Sequence, residues 1–463
     1  MPRPVRLALI ALVVALAAPA GSVQAAERMQ IGFFDDPSFR WSTDPVVNLE
    51  SARRAGASII HVLADWSQIA ETRPSYALNG NDPAYNLSDL DTLVETAPRY
   101  DLQVFVTITG TPKWANGGRT SNVPPTNLKH LTDFARMLAT RYNGKYGDGA
   151  VTHWSIWNEP NLELFLKPQF RGNKIVSPSI YAKLYLAGYR GIKAGNPLAK
   201  VAVGQTSNRG RDRAVKGVSG SVAPATFARL LAQAARKLPF DAWATHPYPT
   251  EPRLGPNQRV RYPNVTMTTI GRFGADLQNW FKRRVPIWIT EYAQQTRPEY
   301  PFGVPRAKQA ADARLALRMA AENPYIEMFV WFVLRDSSDK TWHSGLLARN
   351  GSKKPSYNVF AVEAKKLSGQ TQVIAPRKQP KIKVIAPYLT WFNRPGAPVG
   401  VTYRVYEGKK LVAVGQARPR LLADQTIVFV AKFRPTKGHS YRLTADLNDV
   451  NGQRTQRTVM LYA

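Results

Sequence analysis

The chain of 463 residues contains no cysteine and only six histidines. Without cysteine, disulfide bonds and thiolate metal sites are excluded, so the fold depends on packing alone. The histidines lack the paired spacing of a metal site, and no acidic calcium-binding loop is visible. The segment "GQTSNRGRDR" lacks the lysine and the spacing of a nucleotide-binding phosphate loop. We therefore expect neither a metal ion nor another cofactor.

Long hydrophobic runs are also scarce. An apolar run over residues 7–18 follows Arg3 and Arg6, and small residues precede a cleavage site after Ala25. This pattern predicts a secretory signal peptide over residues 1–25. The run is too short to span a bilayer, and no later segment approaches the roughly 20 apolar residues of a transmembrane helix. We expect a secreted protein, extracellular or associated with the cell envelope, without a transmembrane segment.

Acidic residues are few, with 32 Asp and Glu against 63 Lys and Arg, which gives a formal net charge of +31. A surface of this charge attracts polyanions such as acidic polysaccharide, anionic cell-envelope polymer or nucleic acid. Composition does not choose among them, and a generally basic proteome would give the same balance without functional meaning. The excess of basic over acidic residues is greatest from residue 376 onward, where there are 16 Lys and Arg and 4 Asp and Glu.

Between residues 29 and 367, short β-forming runs alternate with longer helical patterns. Most of the runs are apolar on both faces, as expected for parallel strands covered by helices. Eight such pairs predict an α/β fold, a (β/α)8 TIM barrel, over residues 26–370. The predicted strands cover residues 29–34, 58–63, 103–108, 152–157, 200–205, 241–246, 286–291 and 326–332.

After residue 370 the pattern changes. Residues 371–382 contain Pro and Lys and are typical of a connector. Beyond them, alternating stretches such as "VTYRVY" and "TIVFVAKF" predict strands, and "DVNGQ" predicts a hairpin turn. We expect a small all-β sandwich over residues 383–463, immunoglobulin-like or fibronectin-like.

Two glutamates lie at the ends of predicted barrel strands. Glu159 follows the fourth strand in "WSIWNEP", and Glu291 closes the seventh in "PIWITEYA". Side chains at these ends converge at one mouth of a barrel. Two carboxyl groups about 5 to 5.5 Å apart can break a glycosidic bond with retention of configuration. An Asn-Glu-Pro triplet alone is more often an exposed turn, but its placement opposite Glu291 favours catalysis.

These motifs resemble the retaining glycoside hydrolases of clan A, especially the cellulase-like families 5 and 39. The likeness rests on "IWNEP" after strand four and "ITEY" after strand seven. It extends to "HPY" after strand six, "WF" at the end of strand eight, and "GASIIHVLADWSQI" and "TGTPKWA" around strands two and three. It covers nearly all of residues 29–367 but not the C-terminal module.

The resemblance implies a role for each matching residue. Glu159 matches the general acid/base, for which burial should raise the pKa, and Glu291 matches the nucleophile, which should stay ionised. Asn158 corresponds to the asparagine that binds the sugar 2-hydroxyl. His246 and Tyr248 match a His-x-Tyr pair whose tyrosine touches the nucleophile, although "HPY" also suits a turn with a structural histidine.

Three tryptophans are candidate sugar-binding platforms. Trp331 matches the aromatic floor of the central subsite in the family, whereas Trp66 and Trp114 are candidates because they follow strands two and three. For each, a place in the hydrophobic core is the alternative.

One position departs from the family pattern. Where relatives carry a strand-two arginine that braces the nucleophile, this chain has His61. Histidine is only partly charged near neutral pH. Either another group keeps Glu291 ionised, or the pH optimum moves downward, or catalysis is weakened.

The sequence thus predicts a secreted retaining glycoside hydrolase that cleaves β-linked poly- or oligosaccharides by double displacement. Aromatic residues on several mouth loops favour cleavage within the polymer, and the basic module is expected to hold the enzyme on an anionic polysaccharide or cell-envelope polymer. The alternative is a non-catalytic carbohydrate- or envelope-binding barrel. Nucleic-acid binding rests on charge alone, so no specific nucleic acid is expected.

Overall fold

The protein's structure is a computed structural model. The predicted signal peptide, residues 1–25, lies outside the described residues. None of the helices in the described part of the chain has the length and hydrophobicity that a membrane crossing requires. The structure describes residues 29–145, 149–298, 302–337, 342–368, 371–385, 400–421, 426–448 and 454–463.

The first ten strands build a closed barrel and one short hairpin. All eight predicted barrel strands are confirmed, with ends shifted by two residues at most. The strands are β1 (Gln30–Phe34), β2 (Ile59–Asp65), β3 (Gln103–Thr109), β4 (Val151–Ile156), β5 (Phe170–Arg171), β6 (Lys174–Ile175), β7 (Lys200–Thr206), β8 (Ala242–Thr245), β9 (Ile287–Tyr292) and β10 (Ile326–Phe332). The barrel order is β1-β10-β9-β8-β7-β4-β3-β2, all pairs parallel, and β5-β6 is the hairpin.

Helices surround the barrel because their apolar residues recur on one face. In the helix that follows β8, Ile270, Phe273, Leu277 and Phe281 are all buried, the spacing of an amphipathic helix against a core. The helices are α1 (Asp36–Phe39), α2 (Pro45–Arg54), α3 (Trp66–Ile69), α4 (Ser88–Thr96), α5 (Lys113–Asn116), α6 (Leu128–Arg141), α7 (Ser177–Gly195), α8 (Pro224–Ala234), α9 (Ile270–Phe281), α10 (Arg306–Glu322) and α11 (Pro355–Leu367).

The inside of the barrel is filled by side chains that alternate with those facing the helices. Large residues such as Phe105 and Trp288 share this space with the small Ala202 and Ala244. Toward the carboxyl ends of the strands the side chains inside the barrel become polar. Each of these polar groups needs a hydrogen-bond partner because it is removed from water. This polar layer supports the site.

The last eight strands form a second unit of two sheets around their own core. The predicted all-β sandwich is confirmed. The chain passes several times between the two sheets, and their inward residues include Ile382, Tyr403, Phe429 and Leu443. The strands are β11 (Thr371–Val373), β12 (Lys381–Ile385), β13 (Gly400–Glu407), β14 (Lys410–Ala417), β15 (Arg420–Leu421), β16 (Thr426–Val430), β17 (Ser440–Asn448) and β18 (Arg454–Tyr462).

The sheet orders are β11-β18-β17-β13-β14 and β12-β16-β15. The segment predicted as a connector, residues 371–382, therefore contains β11 and the first residues of β12. Its Pro and Lys residues resemble a linker in composition, but pairing of β11 with β18 makes it part of the sandwich.

An ion pair joins the sandwich to the barrel. Arg457 of β18 lies 2.6 Å from a carboxylate oxygen of Asp101, which also pairs with Arg53 at 3.1 Å. Asp101 lies two residues before β3, so this contact is at the amino-terminal end of a barrel strand. The carboxyl ends of the strands, where Glu159 and Glu291 lie, are at the opposite end of the barrel.

Candidate active site

A strained turn presents Glu159 at the end of β4. The backbones of Trp157 and Glu159 both have positive φ, 72° and 38°, a conformation that is costly for residues other than glycine and that concentrates at functional sites. Two hydrogen bonds hold the turn: Trp157 N–H donates to the Ile108 carbonyl, and Glu159 N–H donates to the Gln205 carbonyl at 3.0 Å. Neighbouring strands thereby fix the direction of the carboxyl group.

Glu291 is placed by a regular strand instead. It lies in β9 and is only 8% exposed. The hydroxyl of Tyr248, in the loop after β8, donates to Glu291 Oε2 at 2.9 Å. One carboxylate oxygen is therefore held, as the resemblance implied for the His-x-Tyr pair.

His246 lies between the two glutamates. Its Nδ1 is 2.9 Å from Glu159 Oε1, and its Nε2 is 3.5 Å from Glu291 Oε1, an ion-pair distance rather than a hydrogen bond. The ring is fully buried. Residues from β4, β8 and β9 thus converge, and the predicted pair of carboxyl groups shares one imidazole.

Burial and charge set the protonation of this group. Burial lowers the pKa of His246, but the charges of Glu291 and Glu159 outweigh burial and raise the pKa above its ordinary value. Burial raises the pKa of Glu291 to about 7; His246 and the Tyr248 hydroxyl oppose this rise, and the charge of Glu159 adds to it. The sequence argument expected an ionised Glu291. The structure instead gives Glu291 a proton to lose near neutral pH because the strand buries it.

His61 does not take the place of the family's arginine. Its Nδ1–H donates to the Thr290 carbonyl at 3.2 Å, and its Nε2 accepts from the Thr107 hydroxyl at 2.7 Å. The ring stacks on Phe105. Burial, helped by the charge of His246, lowers the pKa of His61 to about 3. His61 is therefore a neutral residue beneath the site, and His246 with Tyr248 contacts the nucleophile position.

Gln205 supports Asn158 from below. Its side-chain amide donates to Asn158 Oδ1 at 3.3 Å and to the Thr107 hydroxyl at 3.1 Å, and Ser155 donates to its carbonyl oxygen. The sequence analysis did not single out Gln205. Its position at the carboxyl end of β7, beside β4, was the available signal.

The mouth of the barrel is a cleft of about 980 Å³. Glu159 and Glu291 lie in it, and aromatic rings from several loops form part of its wall. This volume is at the upper end of the usual range for ligand pockets, roughly 300 to 1,000 Å³. The aromatic lining residues are Phe34, Phe165, Tyr248, Phe332 and Trp342.

Comparison with known proteins agrees with this geometry. Residues 60–387 match the model of the glycosyl hydrolases family 39. The chain belongs to glycosyl hydrolases family 39. It is a glycosidase, and clan A, which contains the family, works with retention of configuration.

Solved structures share the fold at low sequence identity. The GH39 enzyme from Xanthomonas axonopodis pv. citri is 16% identical, covers 90% of this chain and 97% of its own, and has a TM-score of 0.53. A GH39 β-xylosidase from Caulobacter crescentus is 14% identical, with 91% and 79% covered and a TM-score of 0.53. A glucosidase from Croceicoccus marinus is 12% identical, with 89% and 95% covered and a TM-score of 0.56.

One curated relative matches over a short segment. "Beta-glucosidase-like SFR2, chloroplastic" from Oryza sativa subsp. japonica is 23% identical over 129 residues. This segment is 27% of the present chain and 19% of the rice protein.

The tryptophans expected in the cleft of this family 39 glycosidase lie elsewhere. Trp331 has no exposed surface; its indole N–H donates to the Ser344 carbonyl, and its ring packs on Tyr292 and Phe360. Successive side chains of a strand point to opposite faces, so Trp331 faces the helices while its neighbour Phe332 lines the cleft. The prediction of Trp331 as the subsite floor is corrected accordingly.

Trp66 and Trp114 also pack away from the cleft. Trp66 is 1% exposed and stacks on Phe134 of α6. Trp114 packs edge-on against Trp66 and donates its indole N–H to the Ala70 carbonyl. Neither residue lines the cleft. Both are therefore core aromatics, the alternative that the sequence left open.

Metal ligation has no candidate in the described parts of this glycosidase. Over those residues, no group of three or more His, Cys, Asp or Glu is arranged to hold a metal ion.

Proposed function

We propose that Glu159 is the general acid/base and Glu291 the nucleophile of a glycosidase acting on β-linked oligo- or polysaccharides. The observation that carries this proposal is the convergence of both carboxyl groups on His246 at the mouth of the barrel. Two carboxyl groups at one mouth can attack the anomeric carbon and protonate the leaving oxygen, the division of labour required for retention.

In the first step, ionised Glu291 forms a bond to the anomeric carbon while Glu159 gives its proton to the departing sugar oxygen. In the second step, Glu159 takes a proton from water, and the oxygen of this water displaces Glu291. Tyr248 holds one oxygen of the nucleophile through both steps. Asn158, fixed by Gln205, is placed to bind the sugar 2-hydroxyl.

The names of similar proteins support a β-linked substrate. They include a β-xylosidase, a glucosidase and a β-glucosidase-like protein. Cleavage within a polymer was expected from aromatic residues on several mouth loops, but Trp66 and Trp114 are not among the aromatic residues that line the cleft. The proposal therefore specifies a β-linked oligo- or polysaccharide without assigning internal or terminal cleavage.

Secretion and attachment to an anionic polymer complete the proposal. Secretion is supported by the apolar run and cleavage pattern of residues 1–25. Attachment is supported by the three-stranded sheet of the C-terminal module. Lys381 and Lys383 alternate with the buried Ile382 and Val384 on β12, so they face away from the core. Arg420 of β15 is exposed as well.

The described acidic residues of the five-stranded sheet have basic partners of their own. Glu407 of β13 is paired with His439, and Asp446 of β17 lies 2.6 Å from Arg404. None of the residues assigned to β12, β15 and β16 is acidic. This face, which we call the basic sheet face and define by Lys381, Lys383 and Arg420, is the proposed binding surface for anionic polysaccharide or cell-envelope polymer.

The roles of the two glutamates are tested with single variants and aryl β-glycosides of different leaving groups. Glu291→Ala is expected to lose at least roughly 10⁴-fold in kcat on every substrate, because no nucleophile remains. Glu159→Ala is expected to lose far less activity on an activated aryl glycoside, whose leaving group needs no proton, than on a natural sugar linkage.

Added azide separates the roles further. With Glu159→Ala, azide attacks the glycosyl-enzyme and gives a β-glycosyl azide; with Glu291→Ala, it replaces the nucleophile and gives the α product. The control is Glu251→Gln, a glutamate of the loop after β8 with a 47% exposed side chain, which should retain activity. If both catalytic variants kept wild-type activity, or azide products had the opposite configurations, the assignment would be wrong.

A further inference from the structure

A basic loop borders the cleft between β7 and α8. Residues 207–223 carry three arginines and one lysine, all exposed, and a single acidic residue, Asp212. Asp212 is already engaged, since its carboxylate accepts from Ala223 N–H at 2.6 Å and from the Thr226 hydroxyl at 2.7 Å, at the start of α8. The carboxylate of Glu163 also contacts the loop by accepting from Gly220 N–H, but the loop keeps a net positive charge beside the site.

Two of its arginines line the cleft itself. Arg209 donates to the Thr250 carbonyl at 3.1 Å, and Arg211 donates to the Ser219 carbonyl at 2.6 Å. Each guanidinium has five N–H groups, so a single carbonyl uses only part of its capacity. Within the described residues, neither arginine forms an ion pair with a carboxylate. The carbonyl contacts orient both groups while leaving their charge unneutralised.

The loop lies on the Glu159 side of the cleft. Glu163 N–H donates to the Gly220 carbonyl at 2.9 Å, and Val222 N–H donates to the Asn161 carbonyl at 2.8 Å. The basic loop is thus packed on the turn that carries the proposed acid/base. Because the acid/base protonates the leaving oxygen, the departing sugar lies on this side.

We propose that Arg209 and Arg211 form a leaving-group subsite for a sugar that bears a carboxylate. This inference rests on the proposed function and names its substrate class, a β-linked glycan containing uronic acid on the leaving-group side of the scissile bond. A planar guanidinium matches a carboxylate in a bidentate geometry, which a neutral sugar cannot offer.

The test uses a β-linked oligosaccharide with a uronic acid at the leaving-group position and the same oligosaccharide after chemical reduction of its carboxyl group. Wild-type protein is expected to prefer the acidic form in kcat/KM. In the double variant Arg209→Gln/Arg211→Gln the acidic-to-neutral ratio should fall about 10- to 100-fold, as expected for the loss of charge-assisted hydrogen bonds. Arg209→Lys/Arg211→Lys should recover part of the preference.

The matched control is Arg213→Gln, which removes a charge from the same loop at an exposed residue outside the cleft lining, and should leave the ratio unchanged. Binding of both oligosaccharides to Glu291→Gln, measured by calorimetry with and without the arginine substitutions, gives the same comparison without turnover. Equal affinity for the two forms, or an equal loss in both after substitution, would overturn the subsite. Failure of the proposed function would be recognised by a different result, namely hydrolysis that survives in Glu291→Gln.

Discussion

At the barrel mouth the ionisable groups are buried and face one another, whereas on the C-terminal module they are exposed and mainly of one sign. Glu159, His246 and Glu291 lie within ion-pair distance in a largely buried site. On the module, Lys381 and Lys383 alternate with buried residues of β12 and face away from the core. The first arrangement raises the pKa values of His246 and Glu291, whereas the second places positive charges at the surface of the module.

The difference indicates how one chain separates two tasks. Buried charged neighbours change each other's pKa values, and proton transfer requires groups whose pKa values are adjusted in this way. Exposed charges act over about a Debye length and are screened by salt, which suits reversible attachment. The contact of Arg457 with Asp101 at the amino-terminal end of β3 keeps the module away from the cleft. The proposed role of the module is therefore attachment, and the subsites are formed by the barrel.

Among the residues that surround the two carboxyl groups, His246 is expected to have the largest effect on catalysis. His246→Asn keeps a polar group near Glu159 but removes the positive charge beside Glu291, and kcat/KM should fall about 10²- to 10³-fold. His246 lowers the pKa of Glu291, so its loss should raise that pKa above about 7. Glu291 then ionises only at higher pH. The acidic limb of the kcat/KM profile should move upward, which a pH series measures.

The variant Tyr248→Phe tests the effect of the hydrogen bond to Glu291 separately from the effect of His246. It removes one hydrogen bond that also lowers the pKa of Glu291, but it leaves the charge of His246 in place. The acidic limb should move in the same direction by a smaller amount. A profile unchanged in both variants would show that neither group controls ionisation of the nucleophile.

A smaller effect, on stability, is expected from His61. Its folded-state pKa of about 3 lies below the unfolded value of 6.5, so protonation favours the unfolded state and stability falls as pH drops below 6.5. Between pH 6.5 and 5 the wild type should lose about 1 to 2 kcal/mol more than His61→Gln, which cannot titrate. Urea unfolding at several pH values measures this. Acidic groups with raised pKa values are common to both proteins and cancel in the difference.

Sequence reasoning was accurate where a regular pattern repeats. The eight barrel strands followed from alternation along the chain, and the placement of Glu159 and Glu291 at one mouth followed from their positions at strand ends. Both kinds of prediction use only the local pattern of the sequence, without knowledge of side chains that are distant along the chain. Parallel strands of one barrel place their carboxyl ends at the same mouth.

It was less accurate where a role depends on which way a side chain points or on what lies beside it. Trp331 and Phe332 are adjacent, yet only Phe332 reaches the cleft, because a shift by one residue reverses the face. His61 and His246 are both buried, but a carbonyl and a hydroxyl surround the first and two carboxyl groups surround the second. Opposite pKa shifts result, and only the folded arrangement reveals them.

The smallest effect is expected on the module, where charges are exposed. Replacing Lys381 and Lys383 with glutamine should weaken binding to an immobilised polyuronate about tenfold at low salt, because two counterion-releasing contacts are lost. Folding stability should change little, since exposed charges contribute little to it. The difference from wild type should shrink as salt rises.

The matched control is the same double change at Lys409 and Lys410, which are exposed at the turn between β13 and β14. It removes equal charge from the same module but not from the basic sheet face. If the two double variants weakened binding equally, net charge alone would govern attachment, and the basic sheet face would not be a binding surface. If only the change at Lys381 and Lys383 did so, attachment would depend on the position of the charges, as catalysis at the mouth does.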